Sequence, residues 1–274
     1  MLKPDRPLLV GLLFLLGLSG LARGAADTGV DFANYSHDEA LAHSQAAIGN
    51  TLHDIELTRS DGSAVSISDY RGKPLVISMI FSSCHHVCPS TTQYLQQVVD
   101  KAQSVLGDDS FQVISVGFDT ANDSPERMAR FRTSIGISNQ RWDFLAGDEN
   151  SIAALTEQLG FIYYSSARGF DHLVQASVID AEGRVYRQVY GMSFPTPALV
   201  EPLKQLVFGQ PTAPSTVDYL SNRIRLFCTV YDPATDTYHI DISVFIGTFV
   251  GLMVSLLFGR VLIREWRRSI EASQ

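Results

Sequence analysis

One short stretch limits what this chain can become more than any other. Pro74-Leu75-Val76-Ile77-Ser78-Met79-Ile80-Phe81 is apolar at nearly every position and runs into Cys84-His85-His86-Val87-Cys88-Pro89. An apolar run of that kind suits a strand covered on both faces. Pro89 suits the first turn of a helix, where its missing N–H has no partner to lose. Leu95, Val98, Val99, Ala102, Val105 and Leu106 then recur three and four residues apart until Gly107, the pattern of one helix face closed by glycine. Both cysteines therefore stand where a buried strand turns into a helix.

The strand-then-helix order repeats. Phe111 to Phe118 reads as a second apolar strand, and Ser124-Pro125-Glu126 opens a helix with Met128, Phe131 and Ile135 on one face. Trp142 to Leu145 reads as a third strand, before a helix capped by Asp148, carrying Ile152, Leu155 and Leu159 and closed by Gly160. Upstream, Ile55, Leu57, Val65 and Ile67 flank Ser60-Asp61-Gly62 as a hairpin. Downstream, Phe161 to Tyr164 is extended, Val174 to Ile179 and Val185 to Tyr190 flank Asp180-Ala181-Glu182-Gly183 as a second hairpin, and a last helix ends near Phe208. Parallel units bounded by hairpins imply an α/β fold: a thioredoxin-like mixed sheet with flanking helices.

The ends read differently. Lys3 and Arg6 precede an apolar run from Leu8 to Leu21, and Ala22-Arg23-Gly24 resembles a small-x-small cleavage site, so 1–24 is expected to be a signal peptide or signal anchor. A second apolar run from Ile242 reaches past Arg260 to Ile263, about the ~20 residues a bilayer requires, with Arg260, Arg264, Arg267 and Arg268 crowding its far side. The positive-inside tendency then puts the C-terminus in the cytoplasm and the main domain across the membrane from it. The expected layout is a leader (1–24), a loosely packed polar segment with solvated His37 and His43 (25–50), and the sheet domain (51–208). A linker and juxtamembrane hairpin (209–240), a transmembrane helix (241–263) and a tail (264–274) follow. The net charge of -8 argues against a nucleic-acid partner, which would call for a basic stripe.

Chemistry concentrates at the cysteines, which number only three, at 84, 88 and 228. Cys88 is expected at the helix N-cap, where unpaired amides and the helix dipole favour a thiolate. A separation of four residues could bring the two Cα atoms within the about 5 to 6 Å that a disulfide bridges. Three intervening residues also leave room for both sulfurs to meet one ion. Two thiolates are soft ligands that favour copper(I) or zinc, and an imidazole suits either. His172, in the loop before the strand at Val174, faces the strand–helix junction in a sheet of this type and is the expected third ligand. Asp171, Asp119 and Asp123 could orient its ring from a second layer. His85 and His86 are expected to point outward, and Cys228 in Leu226-Phe227-Cys228 to be a buried, inert thiol.

The stretches F-S-S-C-H-H-V-C-P (81–89), V-G-F-D-T-A-N-D-S-P-E-R (116–127) and F-D-H-L-V-Q-A-S-V-I-D-A-E-G-R (170–184) resemble three blocks of the Sco/SenC family, in order and spacing. The resemblance covers about residues 50 to 208. It implies a thioredoxin fold, copper bound by Cys84, Cys88 and His172, and a role in assembling the binuclear copper centre of cytochrome c oxidase. The implied partner is the copper-centre subunit of a respiratory oxidase, met at the bacterial inner membrane with the main domain in the periplasm. The chain departs from the commonest family layout in its C-terminal anchor, and L-F-C-T-V-Y-D-P (226–233) resembles a bacterial subgroup. Two roles stand side by side: copper delivery, and a thiol-disulfide reductase in which Cys84 and Cys88 cycle to keep a partner's copper-ligand cysteines reduced. A thiol peroxidase shares the fold but would leave one of the two cysteines without a use.

Overall fold

The computed structural model describes residues 35–139, 141–167, 169–209, 229–240 and 243–271. The expected leader and Cys228 lie outside them. In chain order the first elements are α1 (His37–Ala46), β1 (Glu56–Arg59), β2 (Ala64–Ser66), a 3-10 turn (Ile67–Tyr70), β3 (Leu75–Ile80), α2 (Val87–Leu106), β4 (Gln112–Gly117) and α3 (Pro125–Ser134). There follow β5 (Trp142–Ala146), α4 (Glu149–Leu159), β6 (Tyr163–Ser166), β7 (Gly169–His172), β8 (Gln175–Ile179), β9 (Val185–Tyr190) and α5 (Pro197–Phe208). The chain closes with β10 (Thr229–Asp232), β11 (Thr237–Ile240) and α6 (Ser243–Glu271).

Seven strands form one sheet in the order β2-β1-β5-β4-β3-β8-β9. β3, β4 and β5 are parallel, which requires the crossover helices α2 and α3. The strands outside them run antiparallel. This is the thioredoxin-like mixed sheet that the alternating pattern predicts. All six residues of β3 and all five of β8 are buried, as helices on both faces demand. Trp142 is wholly buried, yet its indole N–H donates to the Ser115 hydroxyl at 2.9 Å, so the polar end of the ring is not stranded in the core.

Two features differ from the sequence expectation. The segment before the sheet is not loosely packed: α1 is capped by the Ser36 hydroxyl, which accepts from the Glu39 N–H at 3.3 Å, and it buries Ala40 and Ser44. Its fit is close. Gly160 ends α4 in the left-handed conformation, and a Cβ there would come within 2.7 Å of Ala47 Cβ and the His43 carbonyl. His37 and His43 are exposed, as expected.

The second difference is a two-stranded hairpin, β6–β7, standing apart from the main sheet. His172 therefore ends a strand instead of lying in a loop. The expected juxtamembrane hairpin is present as β10–β11. Lys204, buried on α5, donates to the Thr229 carbonyl. Lys101 of α2 pairs with Asp236, whose other oxygen accepts from the Tyr231 hydroxyl at 2.8 Å. The hairpin is thus tied to both α2 and α5. Within α6, Phe245–Arg264 is long and apolar enough to cross a membrane and leaves its side chains uncovered.

The core reading gives a direct stability expectation. Ile114, fully buried on β4, should cost about 2–5 kcal/mol on replacement by alanine. Gln97→Ala on the exposed side of α2 should stay within about 0.5 kcal/mol. Urea unfolding of the two variants checks this, and a loss for Ile114→Ala no larger than for Gln97→Ala would contradict it.

Candidate metal centre

The loop between β3 and α2 carries Cys84, and the helix begins at Val87 with His86 in the capping position. Cys88 therefore lies inside the first turn, not at the cap, and its side chain is buried at 3% exposure. That corrects the expectation of an activated Cys88. Burial pushes its thiol up to about 12, the neighbouring Cys84 and Asp123 add to the rise, and a backbone hydrogen bond from Phe81 offsets only part of it.

The unpaired amides at the start of α2 serve Cys84 instead. The Cys88 N–H donates to Cys84 Sγ at 3.3 Å. Burial alone would raise the Cys84 thiol, but the N–H groups of Cys88, His86 and Val87 and the Cys88 side chain together outweigh it and hold Cys84 below its ordinary value. Helix N-termini favour an anion for this reason. The outer cysteine is the thiolate-prone one, the inner a protonated reserve, and both are free thiols.

Asp119 and Asp123 act on this loop and not on the histidine. Asp123, 2% exposed, accepts from the Ser82 N–H at 2.8 Å through one oxygen and from the Asp119 N–H at 3.0 Å through the other. Asp119 accepts from Asn122 Nδ2 at 2.8 Å and from the Ser83 hydroxyl at 3.4 Å. The two carboxylates brace the approach to Cys84 from the end of β4. Gly117 makes room for them, since a Cβ there would sit 2.6 Å from Asp123 Cβ.

His172 pairs with Tyr163 across β6–β7, and its ring lies between 5.3 and 6.0 Å, centroid to centroid, from Phe81, Phe118 and Phe161. Its Nδ1 is 3.0 Å from the Leu173 carbonyl oxygen. A carbonyl can only accept, so Nδ1 carries the proton and Nε2 presents the lone pair. The Leu173 carbonyl thus takes the orienting part expected of Asp171. Burial lowers the imidazole pKa against the opposing pull of that hydrogen bond and of the Asp171 charge, which keeps the ring neutral at pH 7.

An open cavity of about 600 Å³ is lined by Cys84, His86, Phe170, Asp171, His172 and Met192, among others. A narrow cleft adjoining it is lined by Cys88, Thr91, His172 and Val174, among others. His172 thus borders the space of either thiol. His85 and His86 are exposed on the loop. Among the described residues, no three His, Cys, Asp or Glu side chains stand close enough together to hold a metal ion as placed, so the three donors border neighbouring spaces without converging. Sequence reading missed Met192; its only signal was a thioether directly after Gly191, where β9 ends.

Comparison with known proteins matches residues 43–207 to the SCO1/SenC family model. The SCO1 protein homolog of Bacillus subtilis is 24% identical over 136 residues, covering 48% of this chain and 69% of the relative. The solved structure of BsSco, described as having a disulfide switch and as a member of the Sco family of cytochrome c oxidase assembly proteins, superposes with a TM-score of 0.52. It is 20% identical and covers 58% of this chain and 94% of that one. Yeast Sco1 with copper bound superposes at 0.50 with 19% identity, over 60% of this chain and 92% of that one. The superpositions show the fold.

The two thiols should differ sharply in reactivity. At pH 7, iodoacetamide should modify Cys84 at least about tenfold faster than Cys88, because thiolate content and exposure both favour it. A lowered Cys84 pKa means that its labelling rate should reach half of its plateau at a lower pH than that of an unperturbed thiol. Peptide mass mapping over time reads this, and equal rates or earlier labelling of Cys88 would contradict it.

Proposed function

The chain belongs to the SCO1/SenC family, and on that premise we propose that it is a membrane-anchored copper metallochaperone. It holds copper(I) on the Cys84 and Cys88 thiolates and the His172 imidazole, then passes the ion to the copper-centre subunit of a respiratory oxidase. The observation that carries the reading is one cavity wall bearing a thiolate-prone Cys84 and a neutral imidazole with its lone pair on Nε2, with the second thiol behind. Soft sulfur and borderline nitrogen select copper(I) over hard cations. The copper reported for yeast Sco1 and the oxidase-assembly role stated for the BsSco family support the same reading.

Binding begins at Cys84, the thiol that needs least help to ionise. The buried Cys88 gives up its proton as the ion arrives, since only the thiolate ligates. On transfer the metal stays copper(I), each thiolate takes a proton back from solvent, and no electron moves. The domain sits on the periplasmic side of the bacterial inner membrane, with Phe245–Arg264 spanning it and Arg264, Arg267 and Arg268 on the cytoplasmic side.

A second reading has its own observation: a lowered outer thiol beside a raised inner one is the pair a thiol-disulfide reductase uses. Cys84 thiolate would attack a partner disulfide and form a mixed disulfide. Cys88 would then resolve it, leaving two electrons on the partner as its reduced dithiol.

Anaerobic competition titration separates the two. Cys84→Ala, Cys88→Ala and His172→Ala should each weaken copper(I) binding by roughly a hundredfold or more, beyond the loss seen for outer-layer partners. Wild-type affinity in any of them refutes the ligand set, and partner reduction unaffected by His172→Ala identifies the reductase.

A further inference from the structure

Met192 is the part of the cavity that neither reading uses. It follows β9 directly after Gly191, whose φ of +107° turns the chain sharply, and it lines the cavity together with Cys84, His86 and His172. The side chain is 52% exposed, the most of any large apolar side chain outside α6 among the described residues. An apolar residue gains nothing from standing in water. A thioether, however, is a soft donor that stays uncharged at every pH and needs no deprotonation to meet copper(I). The two thiols also lie at different depths: Cys88 borders the inner cleft, whereas Cys84 shares the open cavity with Met192.

Resting on the copper reading above, we propose that Met192 is an exchange ligand at the mouth of the site. As the copper–Cys84 bond opens, a copper–thioether bond to Met192 forms and keeps the ion coordinated until a partner donor displaces it. Copper remains in the +1 state throughout, and the freed Cys84 thiolate is protonated by solvent. The depth order fixes the sequence of events: the outer Cys84 bond exchanges first, and the buried Cys88 releases last.

The test uses the full-length chain in detergent, labelled with methyl-13C methionine, which marks five methyl groups. Met192→Leu keeps the apolar bulk and removes the sulfur, and it also assigns the Met192 signal. On adding one equivalent of copper(I) without oxygen, the Met192 methyl should shift while that of buried Met128 stays near its apo position. Bicinchoninate should strip copper from Met192→Leu about tenfold more slowly than from wild type, an effect the size of losing an outer-layer partner. An unmoved Met192 methyl overturns the proposal, and so does release from Met192→Leu at the wild-type rate; the latter would make the residue an apolar docking contact. If wild type itself takes up no copper(I), the copper reading is what has failed.

Discussion

The contact on which the rest depends is the donation of the first-turn amides of α2 to the Cys84 sulfur. A buried parallel strand must end in a loop, and the helix that follows must begin with N–H groups that no helical carbonyl can reach. Here that unavoidable residue of helix geometry falls on a sulfur. It separates two chemically identical side chains four residues apart into a thiolate-prone outer group and a protonated inner one. Delivery of a soft cation and exchange of a disulfide both begin from that asymmetry.

The carboxylates of Asp119 and Asp123 keep the contact in place. Each loop amide that Asp123 satisfies would otherwise be a buried donor without a partner, at a cost of about 1–3 kcal/mol. Two of them, at Ser82 and Asp119, meet on one side chain, so the ends of β3 and β4 are fixed to each other at the level of the site. From the other side, the aromatic rings around His172 hold the imidazole dry, and the Leu173 carbonyl selects its tautomer. The donors are rigidly backed but not yet converged.

Most of the sheet was legible because burial on both faces leaves an unmistakable pattern: β3 and β4 are apolar runs, and α2 places Leu95, Val98, Val99 and Ala102 on one face. The thioredoxin-like order followed from that alternation. α1 was not legible, because small residues such as Ala40 and Ser44 make contact by being small and give no apolar stripe. The hairpin β6–β7 was only half seen: Phe161 to Tyr164 read as extended, but its partner strand, Gly169–His172, looked like a loop. Even so, the topology drew attention to His172. The parts assigned to Asp119, Asp123 and Cys88 went astray for a common reason. Which atom a loop carboxylate or a first-turn thiol faces is decided by tertiary closure of the 81–86 loop, and residue spacing does not encode it.

X-ray absorption at the copper edge of the anaerobically loaded full-length protein tests the central claim most directly. The account predicts two sulfur scatterers and one imidazole nitrogen in the wild type, with the imidazole contribution lost in His172→Ala and one sulfur lost in Cys88→Ala. A first shell of sulfur alone, or an imidazole contribution that survives in His172→Ala, would contradict it.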